Sequence, residues 1–142
     1  MTMNRTERGF TLIELVVVLA ILGILIGLAI PRYLGSRRSV LVIEADNILQ
    51  ELKTTAWGYY QQYNSWAGLP TGAIPMSNPL GIEPPPAGCW DYSIETASAV
   101  SVAFRATADP TAHSRCGVLA SGGTVDLVLY NDGTSTRGEF LP

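Results

Sequence analysis

GFTLIELVVVLAILGILIGLAIPRYLGSRR, residues 9–38, is the stretch on which the reading of this chain turns. From Leu15 to Ile30 every residue is apolar or glycine, and between Phe10 and Ile30 the only polar residues are Thr11 and Glu14. As a helix those 21 residues would span about 31 Å at 1.5 Å per residue, which matches the hydrocarbon core of a bilayer. A cleaved secretory signal has a shorter apolar core, about 7–15 residues, and ends at a small-residue site. Here the run ends in Pro31-Arg32-Tyr33, so it reads as a membrane helix. Arg5 and Arg8 precede it and, by the positive-inside rule, keep the short N-terminus cytoplasmic and send the remainder across. Arg32, Arg37 and Arg38 follow it and pull the other way.

Composition agrees with a membrane segment on a small folded body. The chain has 142 residues, of which 47% are hydrophobic and only 15% charged, with a mean hydropathy of +0.23. Charged residues make up about a quarter of an ordinary soluble domain, so a disordered polar chain is excluded. The length suits one domain. Net charge is −3, and beyond Lys53 the balance is 3 arginines (Arg105, Arg115, Arg137) against 7 acids. A nucleic-acid-binding domain carries the opposite sign, so direct nucleic-acid binding is not expected.

The polar residues at the start of the run carry more information. Arg8-Gly9-Phe10-Thr11-Leu12-Ile13-Glu14-Leu15 resembles the class III signal of type IV pilins and type II secretion pseudopilins, which a dedicated prepilin peptidase cuts between glycine and phenylalanine. Gly9, Phe10, the glutamate as fifth mature residue and the unbroken apolar stretch all match, and Pro31 stands where the family has a helix-kinking proline. The likeness covers about the first 35 residues, a quarter of the chain. It implies a leader of residues 1–9, cleavage after Gly9, N-methylation of Phe10, and an assembly salt bridge from Glu14 to the Phe10 amine of a neighbouring subunit. The implied partners are identical or homologous pilin subunits, the prepilin peptidase, an inner-membrane assembly platform, and the lipid bilayer before assembly. The precursor would sit in the inner membrane with its C-terminal head outside the cytoplasm, and then pass into an extracellular pilus or periplasmic pseudopilus.

The chemistry of the motif is consistent with this. Gly9 lets an extended backbone enter a protease cleft without a side-chain clash. Glu14 is expensive at membrane depth unless neutralised or paired. Residues 10 and 14 are four apart, which on a helix places them on one face. A stray acid in an ordinary signal anchor is the alternative. Gly23 and Gly27 form a small-xxx-small pair suited to close helix packing in membranes. Both glycines weaken a helix, and Pro31 removes the amide that would bond back to Gly27. Gly23, Gly27 and Pro31 therefore mark a segment able to stretch locally when subunits pack, or else ordinary transmembrane glycine usage.

Past the membrane, Leu41, Ala45, Ile48, Leu52, Ala56, Tyr59 and Tyr63 recur at spacings of three and four, a helical stripe that must bury itself. The helix is expected to run from Phe10 to about Tyr63, kinked at Pro31, with 10–31 as the transmembrane and assembly half and 32–63 as an amphipathic half. Trp57, Tyr59, Tyr60, Tyr63 and Trp66 would form the lid of the core. Residues 64–88 hold Pro70, Pro75, Pro79, Pro84, Pro85 and Pro86 and read as a long loop draped over the head.

Candidate strands are Trp90–Thr96, Val100–Ala106, Cys116–Ala120, Val125–Tyr130 and a short Thr136–Phe140. Turns are expected at Asp109-Pro110, Gly122-Gly123 and Asn131-Asp132-Gly133. The fold class is therefore α+β, a long N-terminal helix packed on a C-terminal antiparallel β-sheet spanning 89–142. It is the architecture that the resemblance to pilins implies. Cys89 and Cys116 lie at strand edges in a compartment that permits disulfides. A bridge closing a loop of about 28 residues would stabilise the head by on the order of 3–4 kcal/mol.

No catalytic set accompanies these features. His113 is the only histidine and sits in a turn-like stretch, and no metal or cofactor motif is present, so no enzyme activity and no cofactor are expected. Asn131-Asp132-Gly133 reads as a hairpin turn in preference to a calcium loop, since no further carboxylates are spaced as ligands. The expected function is that of a structural subunit of a type IV pilus, with a type II secretion pseudopilin or a binding or priming minor pilin as alternatives. The cysteine pair favours the pilin, and the missing calcium pattern weakens the pseudopilin.

Overall fold

The computed structural model describes residues 9–74, 78–83, 85, 88–119 and 121–138. The leader residues before Gly9, Pro75, Pro84 and Pro86 of the loop, Ala120, and the expected strand end at Phe140 lie outside the described residues. The chain divides into two compact units, Met1–Ser36 and Arg37–Pro142.

One helix, α1 (Leu12–Tyr63, 52 residues), contributes to both. It begins at Leu12 and not at Phe10, because Thr11 acts as its N-cap: the Leu15 amide donates to the Thr11 carbonyl at 3.3 Å and the Glu14 amide donates to Thr11 Oγ1 at 3.3 Å. A capping residue is non-helical by nature, which leaves Gly9, Phe10 and Thr11 outside. The far end is where periodicity placed it. Asn64 takes φ 54° and its amide donates to the Tyr60 carbonyl at 2.7 Å, the left-handed cap that asparagine tolerates. Pro31 lies inside the helix, which is continuous through it.

In the first unit every described residue of 9–36 is exposed. The most apolar window of the helix has none of its residues buried by the protein itself, and it is long and apolar enough to cross a membrane.

In the second unit, five strands form an antiparallel sheet in the order β1-β2-β3-β4-β5. They are β1 (Gly72–Ala73), β2 (Trp90–Ala97), β3 (Ser101–Ala108), β4 (Thr124–Tyr130) and β5 (Ser135–Arg137). Period-two alternation turns Trp90, Tyr92 and Ile94 of β2, Val102, Phe104 and Ala106 of β3, and Val125, Leu127 and Leu129 of β4 inward. They form one core with Leu41, Ala45, Leu49, Leu52 and Ala56 of α1, an α+β head of one helix on an antiparallel sheet. Two indole N–H groups fasten sheet and loop to the helix backbone: Trp90 Nε1 donates to the Leu41 carbonyl at 2.9 Å and Trp66 Nε1 to the Ala56 carbonyl at 2.7 Å.

Four expectations need correcting. The buried stripe runs through Leu49, not Ile48, which only packs against the core edge, and it stops at Ala56. Tyr59 is half-buried and Tyr63 is 58% exposed. Leu41, Ala45, Leu49, Leu52 and Ala56 follow steps of 4, 4, 3 and 4, and the stripe through Ile48 has the same set of steps, so the helix period does not separate the two and the packing of the sheet does. Of the expected aromatic lid, Trp66 is fully buried, with Tyr60 at 4.4 Å and Trp57 stacked on Tyr60 at 5.6 Å.

Next, Cys116–Ala120 is not a strand. Ser114–Val118 forms a 3-10 helix, since β3 pairs directly with β4 and leaves this connection no ladder partner. Its buried residue is Cys116, and the residue that caps its end, Leu119, is buried as well and donates its amide to the Cys116 carbonyl. The loop is also not merely draped. It contributes β1 and the buried Trp66, Leu69, Ile74, Leu80 and Ile82 to the core. Lastly, Val100 precedes β3 and is 57% exposed.

The disulfide Cys89–Cys116 joins the start of β2 to the 3-10 helix, and both residues are fully buried. Beside it Arg115 reaches Glu44 of α1 at 3.6 Å, and on β5 Arg137 Nε lies 2.9 Å from Asp46 Oδ1 as an ion pair without a directed hydrogen bond. On the outer face Arg105 links Glu95 and Asp126 across three strands at 2.9 and 2.8 Å. Such half-exposed pairs add little each. The turn at Asn131-Asp132-Gly133 is a hairpin turn: Gly133 takes φ 84°, and the Thr134 amide and hydroxyl both donate to Asp132 Oδ1 at 2.8 and 2.6 Å. Those bonds hold the Asp132 carboxyl below the usual range.

The corrected stripe is testable. Leu49→Ala should destabilise the head by about 2–5 kcal/mol, and Ile48→Ala by less than half as much, in denaturant unfolding of the detergent-solubilised chain followed by tryptophan fluorescence.

Candidate functional site

The segment singled out by the sequence opens the first unit. Gly9, Phe10 and Thr11 precede the helix, Phe10 is 84% exposed, and these three residues line an open hollow together with Glu14. Phe10 and Glu14 are thus brought together, though not as neighbours on one helical face. Phe10 stands beyond the cap, and Glu14 sits in the first turn. A carboxylate there is favoured by the exposed N–H groups and the positive end of the helix dipole. Among the described residues no cation lies within ion-pair distance of Glu14.

The residue that the sequence reading passed over is Thr11. Its signal was present: Thr11-Leu12-Ile13-Glu14 has the spacing of a capping box, threonine followed three residues later by glutamate. Of the two reciprocal bonds in such a box, the structure has the one from the Glu14 amide to the Thr11 hydroxyl.

Further along, Gly23 and Gly27 have open space where a Cβ would stand, with nothing within 4 Å. Leu12, Ile13, Leu19, Ile24 and Leu28 of the same segment are exposed as well. Cys89 and Cys116 belong to the second unit and brace the head. Among the described residues no group of three or more His, Cys, Asp or Glu side chains could hold a metal ion.

Comparison with known proteins places relatives around this segment. Residues 4–30 match the family model described as the prokaryotic N-terminal methylation motif. The chain is 34% identical over 104 residues to the type IV major pilin protein PilE1 of Neisseria gonorrhoeae, covering 71% of this chain and 45% of that one. It is 39% identical over 71 residues to a fimbrial protein of Neisseria meningitidis, covering 50% and 42%. With the type IV major pilin protein PilA of Myxococcus xanthus the identity is 30% over 95 residues, 67% of this chain and 40% of that one. The aligned chain therefore spans less than half the length of these curated relatives. No solved structure matches it.

The cap has a measurable consequence. Thr11→Ala should cost the first turn about 1 kcal/mol and Thr11→Ser almost nothing. Hydrogen exchange at the amides of residues 12–15 should speed up in the alanine variant alone.

Proposed function

The chain belongs to the type IV pilin family, and on that premise we propose that it is a structural subunit of a type IV pilus, polymerised through its N-terminal helix. The observation that carries this reading is the pairing of the methylation motif over residues 4–30 with an apolar helix that buries none of its own side chains from 9 to 36. Relatives described as major pilins and fimbrial proteins favour the pilus over a secretion pseudopilus.

The proposed sequence of events follows from the residues. Prepilin peptidase cuts between Gly9 and Phe10, and the new Phe10 amine is methylated. Before assembly the helix lies in the inner membrane with the head outside the cytoplasm. After cleavage the amine stands just ahead of the capped helix, at the positive end of the macrodipole, where a cation is disfavoured. A carboxylate relieves this, and Glu14 of the neighbouring subunit provides it. In lipid both charges are costly alone and tolerable as a pair. Gly23, Gly27 and Pro31 then allow close packing and local stretching as helices of successive subunits come together.

Intact-mass analysis of protein from a host with an active prepilin peptidase should show a chain starting at Phe10 with one added methyl group. Glu14→Val removes a group that lipid disfavours, so membrane-bound precursor should stay normal or rise while sheared filament yield collapses. Normal filaments from Glu14→Val subunits would show that apolar packing alone sets the register.

A further inference from the structure

We propose that the head carries a binding site for an anionic sugar, a pyranose bearing a carboxylate, in the cleft between α1 and the β4–β5 hairpin. The cleft is about 210 Å³ and is lined by Lys53, Thr54, Trp57, Leu129 and Gly133. Pockets for drug-sized ligands begin at about 300 Å³, so this one suits a single ring. All five residues belong to the second unit.

Two of its half-buried groups are donors with no protein partner among the described residues. Lys53 is the only lysine of the chain. Its ammonium has no carboxylate partner among the described residues, whereas Arg105, Arg115 and Arg137 of the same head are each paired with an acid. Trp57 differs from the other tryptophans in the same way. Trp66 and Trp90 are buried with their N–H groups donated to helix carbonyls, but the half-buried Trp57 has no acceptor for its N–H among the described residues. Lys53 and Trp57 are four positions apart, so both stand on one side of α1.

The remaining lining fits the other half of such a ligand. Leu129 is 2% exposed and gives the cleft an apolar floor. Gly133 brings the turn backbone against the indole: a Cβ there would stand 3.5 Å from the ring. The Thr54 hydroxyl donates to the Gln50 carbonyl at 2.9 Å and keeps lone pairs free to accept from a ligand hydroxyl. An ammonium and an indole N–H without partners among the described residues, an accepting hydroxyl and an aromatic wall over an apolar floor match a ring with a C–H face, several hydroxyls and one negative end. Free inorganic anions would use the ammonium and waste the rest.

The test is saturation-transfer NMR on the full chain in detergent micelles, with sodium glucuronate, glucose and sodium acetate as probes. Glucuronate should receive saturation at its ring C–H protons, with glucose and acetate at least about tenfold weaker, the worth of one hydrogen bond to a charged group. Lys53→Gln should reduce glucuronate to the level of glucose, Lys53→Arg should retain most of the binding, and Trp57→Ala should abolish it. Near-ultraviolet circular dichroism from the buried Trp66 and Trp90 verifies the fold of each variant, and Trp57→Phe, which keeps a ring and loses the N–H, replaces the alanine if that fails to fold. No saturation of glucuronate, equal binding of glucose or acetate, or an unaffected Lys53→Gln variant would overturn the proposal.

Discussion

A helix that buries nothing against its own chain sets the terms for the rest of the molecule. Between Phe10 and Leu34 the large apolar side chains are about half to four-fifths exposed, and each buried methylene is worth about 0.8 kcal/mol. Such a surface cannot rest in water. It has two physical refuges, lipid and the same face of other helices, and the glycines at 23 and 27 suit it to the second. The single carboxylate in this segment must be reconciled with both. Lipid penalises it, and a helix N-terminus rewards it.

The head solves a different problem with ordinary means. It is small, and it gathers its core from three sources: one side of α1, the inward faces of β2, β3 and β4, and apolar residues of the proline-rich segment. The disulfide closes the connection between β3 and β4 back onto the start of β2, which shortens the free chain that must be ordered there. Burial, and secondarily the charge of Glu44, push the Tyr92 hydroxyl well above the ordinary tyrosine range. The phenol therefore stays neutral inside the core.

Much of this was legible in the sequence because it rests on period and punctuation. The apolar run, the helix end at Tyr63, β2, β4 and the hairpin turn at Asp132-Gly133 are local signals that tertiary context did not overrule. What escaped was decided by neighbours. Leu49 and Ile48 are equally apolar, and only the sheet's position chooses between them. Cys116–Ala120 has the composition of a strand, yet β4 had already taken the edge of β3 that it needed. Trp66, Leu69, Ile74, Leu80 and Ile82 lie among prolines and glycines, and no periodicity announces that they turn inward. In the N-terminal segment Gly9, Phe10 and Glu14 stood out through resemblance. Thr11 was overlooked because a cap is one hydrogen bond and leaves no hydrophobic pattern.

The two indole bonds to the helix also have a mechanical meaning. Trp90 grips the Leu41 carbonyl and Trp66 grips the Ala56 carbonyl, fifteen residues or about 22 Å apart along the axis. A pull along α1 therefore reaches the head at two separated rivets loaded in parallel, so the head is sheared and not peeled.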